Sequence, residues 1–307
     1  MIGIVGATAS GKSSLAHLLA LRAPHWMGQA AEIISMDAFA LYRGMDIGTA
    51  KPSAREQSEI PHHQIDVLSI EEFASVARYQ RSARADADEI STRNRIPIAV
   101  GGSGLYVRAL FDHIEFPGTD SAVRERISEE AQTIGAEALH ERLRTLDPQA
   151  AEALHPHNIR RVVRALEVIE ITGKPFTATL PSYDFVRPSV LVGIRRDLAD
   201  IDSRIDERTD TMFNVGFVDE VQGLVERGFA DTPTASKATG YPSVVRYIRG
   251  EWTREEARDD VALQTRRLVR RQIKWFRRDP RIQWIDATGR SDSEVCDEAV
   301  RRIEMMR

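Results

Sequence analysis

The chain carries at residues 6–13 the stretch Gly6-Ala7-Thr8-Ala9-Ser10-Gly11-Lys12-Ser13, which matches the phosphate-binding pattern G-x-x-x-x-G-K-[ST]. The apolar residues 2–5 predict a strand before it, and residues 13–21 predict a helix after it. Backbone N–H groups of such a loop point at a phosphate chain, and the helix N-terminus adds positive potential. Lys12 would supply a cation to the terminal phosphate, and Ser13 a hydroxyl ligand to Mg²⁺. The stretch predicts a polyphosphate site without specifying ATP.

Further apolar runs at regular intervals predict the rest of the core. They lie at 32–36, 96–100 and 189–194 (EIISM, IPIAV and SVLVGI), with a long helix predicted at 73–92. Continuous apolar runs suit a parallel sheet that is buried on both faces. The sequence therefore predicts an α/β fold: a P-loop NTPase-like, doubly wound parallel sheet.

Between about residues 117 and 188 the strand signals give way to helix signals. Asp147 with Pro148 predicts one helix start, and Asn158 predicts the cap of another helix at 159–172. We therefore predict a helical insertion domain at 118–187, within a P-loop core formed by 1–117 and 188–307.

The C-terminal region is predicted to be helical. One long segment at 201–226 has a break at Gly216. Thr253 and Glu256 form a capping-box pair for a helix that runs to about residue 276.

The composition of the chain excludes some classes of protein. With 307 residues, 42% hydrophobic and 29% charged, the chain is typical of folded proteins rather than disordered ones. It has no apolar run of the roughly 18 residues that span a membrane. A lone cysteine, Cys296, favours a reducing cytoplasm. The net charge of −4 argues against nucleic-acid binding, but residues 266–281 carry eight arginines or lysines against one acid, Asp279.

The phosphate loop alone leaves more than one function open. P-loop NTPases usually hold Mg²⁺ with a carboxylate at the end of another core strand, but the strand at 96–100 runs into Gly-Gly-Ser. Asp37 follows the strand at 32–36 and could serve Mg²⁺ or accept a proton. A small-molecule kinase and an enzyme that uses a different diphosphate both remain possible. A non-catalytic RNA-binding protein with a relic loop is disfavoured by the intact Lys12, Ser13 and Asp37.

Residues 37–52 (DAFALYRGMDIGTAKP) resemble the signature of the tRNA dimethylallyltransferase family. Further matches follow in the family's order over essentially the whole chain. They lie at 100–106 (VGGSGLY), 164–168 (RALEV), 240–241 (GY), 265–266 (TR), 271–272 (RQ) and Trp275.

The resemblance implies a reaction. Dimethylallyl diphosphate would bind with its diphosphate on the P-loop beside Mg²⁺. N6 of the adenosine just 3′ to the anticodon, position 37 of tRNA, would attack the allylic carbon and displace diphosphate. No γ-phosphoryl group moves in this reaction, which accounts for the missing carboxylate. The partner would be the anticodon stem-loop of tRNA, and we expect a cytoplasmic monomer.

The resemblance also implies roles for individual residues. Asp37 would be the general base, although an Asp at a strand end often caps the next turn. Ser103, where the family usually has threonine, would orient the amine or the diphosphate. The alternative is that Ser103 is only a serine in a turn beside glycines. Arg208 would reach the diphosphate, although it could instead form a surface pair on its helix.

Residues that would contact tRNA come from several segments. The loop after Asp37 also carries Tyr42, Arg43, Thr49 and Lys51, whose individual roles stay unassigned. A solvated basic face is the alternative for the arginines, and Trp252, Trp275 and Trp284 are predicted to be core. The predicted tRNA contacts are Asp37, Ala38, Phe39, Ala40, Ser103, Arg124, Arg160, Arg161, Arg164, Arg266 and Arg270.

Overall fold

The computed structural model describes residues 1–176 and 183–306. They form two compact units, one made of Met1–Phe111 and Phe185–Arg307, the other of Asp112–Asp184. The boundaries lie a few residues before the predicted ones, because Phe111 and Phe185 belong to the larger unit. Their ring centroids lie 6.1 Å apart, and Phe111 packs so closely on Gly3 that a Cβ there would lie 2.6 Å from its ring.

The larger unit is built on a six-stranded parallel sheet in the order β3-β2-β4-β1-β5-β6. The strands are β1 (Ile2–Gly6), β2 (Ala31–Ser35), β3 (His62–His63), β4 (Ile96–Gly101), β5 (Val190–Arg195) and β6 (Ile282–Asp286). Because β2, β4 and β1 are neighbours, the segments that follow them meet at one edge of the sheet. Ligands of open α/β sheets bind at such an edge, where the strand order reverses.

Helices pack on this sheet and on each other. Leu19 and Ala299, from the first and last helices, share an apolar core with Ile33 of β2. Ile205 and Val269 form a second apolar cluster with Ala7 of the phosphate loop. The helices of this unit are α1 (Lys12–Trp26), α2 (Ala54–Glu59), α3 (Val76–Thr92), α4 (Gly104–Phe111), α9 (Leu198–Asn214), α10 (Phe217–Val225), α11 (Tyr241–Ile248), α12 (Arg254–Phe276) and α13 (Asp292–Met305).

The predicted helix boundaries of the C-terminal region are confirmed, but one strand there was not predicted. Gly216 adopts a left-handed conformation (φ 109°) that separates α9 from α10, and Thr253 and Glu256 form the capping box of α12. The region is not wholly helical, because β6 pairs with β5 at the edge of the sheet. Its five residues, IQWID, were too short and too polar to predict a strand.

The described residues of the smaller unit form four α-helices: α5 (Ser121–Ile134), α6 (Ala136–Leu146), α7 (Pro148–Ala153) and α8 (Ile159–Thr172). It has its own apolar core, to which Ile127, Leu143 and Leu166 contribute. Asp147 caps α7 as predicted, by accepting the N–H of Ala150 at 3.0 Å. Ile159 is 41% exposed, because it lies at the open first turn of α8.

Within the described residues, no helix combines the length and the apolar character that crossing a bilayer requires.

Candidate active site

The phosphate loop follows β1 in a tight path that depends on its glycines. Gly11 has φ 95° and caps α1. A Cβ on Gly6 would lie 2.7 Å from the carbonyl oxygen of Ile194 and 2.9 Å from Oγ of Ser10. Side chains at these positions would clash or strain the backbone. The loop therefore brings its N–H groups and the start of α1 to the sheet edge, as the motif predicts.

A glutamine on α12 joins this loop to the loop after β4. Oε1 of Gln272 accepts the N–H of Thr8 at 2.8 Å, and its Nε2 donates to the carbonyl oxygen of Gly102 at 3.0 Å. Gln272 is buried. Sequence reasoning noted it only as part of a matching motif and missed its role in fixing the loop.

Two arginines brace the same loop from the other side. Nε of Arg204 donates to the carbonyl oxygen of Ala9 at 3.0 Å, and Nε of Arg196 donates to that of Ser10 at 2.9 Å. Arg196 is held in turn by Asp200 at 3.0 Å. The outward-facing carbonyls are thereby satisfied, so the loop is preorganised for an anion.

Two cations and one carboxylate come together beside the loop. Burial is the main cause that lowers the pKa of Lys12, to about 8; the charge of Arg208 lowers it further, and Asp37 opposes both. Burial also lowers the pKa of Arg208, with Asp37 again opposing. Arg208 lines the interior of the site and is not the surface pair that was the alternative. Buried cations that outnumber nearby acids favour a polyanionic ligand.

Asp37 caps the turn that follows it and also lines the site. Its Oδ1 accepts the N–H groups of Phe39 at 2.8 Å and Ala40 at 3.3 Å, which is the capping arrangement. No described residue donates a hydrogen bond to Oδ2, and Asp37 lines both cavities described below. Ser103 accepts the N–H of Ala38 at 3.4 Å. It lies beside this turn but does not line either cavity.

Two cavities meet at this point. A cleft of about 980 Å³ runs from Lys12 and Ser13 past Lys51 to α2. A smaller cavity of about 70 Å³ shares Thr8, Asp37 and Arg208 with it. Apart from Thr49, Thr209, Thr239 and Thr265, the rest of the smaller cavity is mainly apolar, and its lining includes Ile205, Met212, Phe217, Tyr241, Val261 and Leu268. A charged groove that joins an apolar recess suits an organic diphosphate with a short hydrocarbon group.

The four unassigned loop residues have different surroundings. Thr49 lines both cavities, and Lys51 lines the cleft. Tyr42 is fully buried and hydrogen-bonds to Thr234, so it packs. Arg43 is exposed.

The predicted arginine face of α8 divides into two kinds of residue. Arg160 and Arg161 are exposed, and no described carboxylate pairs with them. Arg164 and Arg124 instead both bind the buried carboxylate of Glu167, each at 2.9 Å. Arg164 and Arg124 thus stabilise the smaller unit, whatever else they contact.

The basic cluster at 266–281 has more acidic neighbours in space than its one acid, Asp279, indicates. Asp206 pairs with Arg266 at 2.5 Å, and Asp202 pairs with Arg270 at 2.9 Å. These acids lie on α9, which is far away in sequence but packs on α12. Of the other cations in this cluster, Arg281 pairs with Asp279 at 2.7 Å. The other five are exposed, with no ion pair among the described residues: Arg267, Arg271, Lys274, Arg277 and Arg278.

The prediction that Trp275 is core was also wrong, since it is 41% exposed. Its ring lies against Gly104 so closely that a Cβ there would overlap it. Trp252 and Trp284 are partly buried.

The site fits a Mg²⁺ ion that binds together with a diphosphate. Among the described residues, no group of three or more His, Cys, Asp or Glu is arranged to hold a metal. Ser13 lines the cleft next to Lys12 and can offer a hydroxyl. Mg²⁺ commonly keeps several waters and takes its other ligands from substrate phosphates, so one protein hydroxyl is compatible with it.

Comparison with known proteins places this site in a family. The IPP transferase family model matches residues 40–279. The tRNA dimethylallyltransferase of Thermobifida fusca is 49% identical over 302 residues, which cover 97% of this chain and 94% of the relative. That of Salinispora tropica is 49% identical over 301 residues and covers 98% of this chain and 92% of the relative.

Comparison with solved structures supports the same family. The tRNA isopentenylpyrophosphate transferase of Bacillus halodurans has a TM-score of 0.72 at 36% identity, covering 99% of this chain and 95% of that one. A eukaryotic dimethylallyltransferase acting on tRNA has a TM-score of 0.79 at 24% identity, covering 99% of this chain and 77% of that one, and shares the fold. The chain therefore belongs to the IPP transferase family, whose curated members similar to it are tRNA dimethylallyltransferases.

Proposed function

We propose that this protein transfers a dimethylallyl group from dimethylallyl diphosphate to N6 of the adenosine at position 37 of tRNA, 3′ to the anticodon. The C–O bond to diphosphate breaks, an N6–C bond forms, and the N6 proton is lost. The observation that carries the proposal is the junction of a charged cleft, which holds Lys12 and Arg208 beside the phosphate loop, with a small, mainly apolar cavity, with Asp37 at the junction. Kinship with tRNA dimethylallyltransferases supports the same reaction.

The diphosphate would lie at the phosphate loop. Backbone N–H groups, Lys12 and Arg208 would then face the oxygens on which charge develops as the C–O bond breaks. The loop is braced before substrate arrives, so this stabilisation needs little reorganisation. Mg²⁺ held by Ser13 and the diphosphate would neutralise further charge on the leaving group.

Asp37 would accept the proton of the adenine amine through Oδ2 as the N–C bond forms. Oδ1 is already used in the turn, which fixes the orientation of the carboxylate. Ser103 would position Asp37 indirectly, by holding the N–H of Ala38. The dimethylallyl group would occupy the apolar cavity, and Ala38, Phe39 and Ala40 would lie near the incoming base.

The adenine has to leave its stack to reach this point, which costs a few kcal/mol. Phosphate contacts would supply the compensating affinity without reading sequence. Arg160 and Arg161 on α8, and the unpaired cations on α12, are the exposed candidates. Location in the cytoplasm and a monomeric state stay predictions.

Mass spectrometry of nucleosides from tRNA incubated with the protein and labelled dimethylallyl diphosphate tests the proposal. We expect labelled N6-(dimethylallyl)adenosine at position 37 and an equal amount of diphosphate. tRNA with another base at that position is the control. Transfer of phosphate from ATP to a small molecule, with no prenylated nucleoside, would refute the proposal in favour of a kinase.

We expect kcat/KM for dimethylallyl diphosphate to fall as the pH rises above 8. The pKa of Lys12 in the free enzyme is lowered to about 8, so Lys12 is charged below this pH and neutral above it. kcat/KM reports ionisations of the free enzyme, and the decline should approach about tenfold per pH unit. Lys12→Arg keeps its charge throughout, so its profile should lack this limb. A wild-type profile that stays flat over the same range contradicts the assignment.

Replacing both Arg160 and Arg161 with alanine should weaken tRNA binding. Each phosphate contact that is lost should make the slope of log affinity against log salt shallower by about 1. Binding titrations at several salt concentrations measure this. Arg144→Ala is the control, because Arg144 lies in the same unit but pairs with Glu141. An unchanged slope in the double variant would remove these arginines from the RNA interface.

A further inference from the structure

Glu220 on α10 accepts four hydrogen bonds from outside its own helix. Oε2 accepts the backbone N–H groups of Asp46 and Ile47, at 2.8 and 2.6 Å. Oε1 accepts the N–H of Gly48 at 3.2 Å and the hydroxyl of Tyr241 at 2.7 Å. Hydrogen bonds to a charged acceptor are about twice as strong as neutral ones, so this carboxylate fixes the loop at 46–48 to α10 and to the start of α11.

The loop fixed in this way forms one wall of the apolar cavity. Gly48, Thr49 and Tyr241 all line it. The backbone at Gly48 lies directly on the rings of Phe217 and Tyr241, where any Cβ would overlap them. Burial raises the pKa of Tyr241, and the charge of Glu220 raises it further. The tyrosine therefore stays protonated and remains a donor to Glu220.

The other end of the loop is held by Lys51, which also returns to Asp46. Nζ of Lys51 donates to the carbonyl oxygen of Tyr42 at 2.6 Å and pairs with Asp46 at 2.6 Å and with Asp66 at 2.5 Å. Its side chain is only 3% exposed. Thr49 lies between these two anchors, so its place beside Asp37 and Arg208 depends on both.

We propose that Glu220 is a positioning residue for prenyl transfer, which holds the wall at Gly48 and Thr49 against the five-carbon group of the substrate. Glu220 does not line either cavity, so it acts through the backbone of the loop rather than on a reacting atom. The inference rests on the proposed function, because it assigns the apolar cavity to the dimethylallyl group. A firmly held wall both orients the allylic carbon and limits the length of the chain that fits.

Glu220→Gln tests the inference, since it keeps the size of the side chain but removes its charge and turns an amide NH₂ toward N–H donors. We expect KM for dimethylallyl diphosphate to rise and kcat to fall, with a combined loss in kcat/KM of about 10- to 100-fold, as for a slight misplacement of a reactant. KM for tRNA should not change. The preference for dimethylallyl over geranyl diphosphate should also decrease, which general destabilisation would not produce.

Asp219→Asn is the matched control. It removes a carboxylate from the same first turn of α10, and hence the same favourable charge at the helix N-terminus. Asp219 is exposed and has no hydrogen bond to the loop among the described residues. If Glu220→Gln fails to fold, Tyr241→Phe is the second variant. It removes one of the four hydrogen bonds to Glu220 and should give a smaller change in the same direction.

The outcomes separate this inference from the proposed function. An active wild type in which Glu220→Gln and Tyr241→Phe both behave like Asp219→Asn, in KM and in chain-length preference, overturns the positioning role alone. A wild type that prenylates no tRNA overturns the proposed function and this inference with it.

Discussion

Asp37→Asn is expected to lower kcat for prenyl transfer by about 10²- to 10⁴-fold, the usual contribution of a general base. Asparagine keeps the Oδ1 that accepts the N–H groups of Phe39 and Ala40, so the turn after β2 should persist. It cannot accept the proton of the adenine amine. Single-turnover assays with labelled dimethylallyl diphosphate and saturating tRNA measure the effect.

The binding constants distinguish this role from a structural one. Asp37 favours the charged forms of Lys12 and Arg208 but partly cancels their positive charge, so its neutralisation should not weaken dimethylallyl diphosphate binding when this is measured well below pH 8, where Lys12 stays protonated. tRNA binding should be unchanged too. Asp37→Ala removes the turn acceptor as well and should also lower the midpoint of thermal unfolding. Normal turnover in the asparagine variant would eliminate Asp37 as the base.

Lys12→Ala should lower kcat/KM for dimethylallyl diphosphate by about 10²- to 10³-fold, comparable with the loss of one preorganised donor to a developing anion. Nζ of Lys12 lies 3.3 Å from the carbonyl oxygen of Ala7, inside the loop that would receive the diphosphate. Arg208 remains in the variant, so binding should be weakened but not abolished. Steady-state kinetics with varied dimethylallyl diphosphate measure the effect.

Lys237→Ala is the control for a general loss of positive charge, because Lys237 is an exposed lysine in a short 3₁₀ helix and lines neither cavity. Its kinetics should equal those of the wild type. An equal loss in both variants, or none in Lys12→Ala, would mean that the loop does not bind the diphosphate through this lysine.

The parts of the structure that depend on local sequence could be predicted. The phosphate loop, four of the six strands and the break at Gly216 follow from glycine placement and apolar runs, which act over a few residues. β3 and β6 could not be predicted, since each gains its stability from pairing at one side of an existing sheet. His62–His63 is too short to show any periodicity.

The charged residues of the site could be predicted in a similar way, but the residues that hold its loops in place could not. Lys12, Asp37 and Arg208 belong to recognisable motifs, and the fold brings them together. Gln272, Arg196, Arg204 and Glu220 act on backbone groups that are distant in sequence, so no local pattern reveals these contacts, even for Gln272, which lies in a matching motif. The pairing of Arg266 and Arg270 with acids of α9 was missed for the same reason: charge in space differs from charge along the chain.

The order in which the chain is synthesised has a consequence for this site. The phosphate loop is made before its braces at Arg196, Arg204 and Gln272, which come after the entire smaller unit. The neighbour of β1 on one side, β5, also emerges only then. A nascent protein that has not reached α12 therefore lacks the brace from Gln272, and the loop is held by all three side chains only after α12 has emerged.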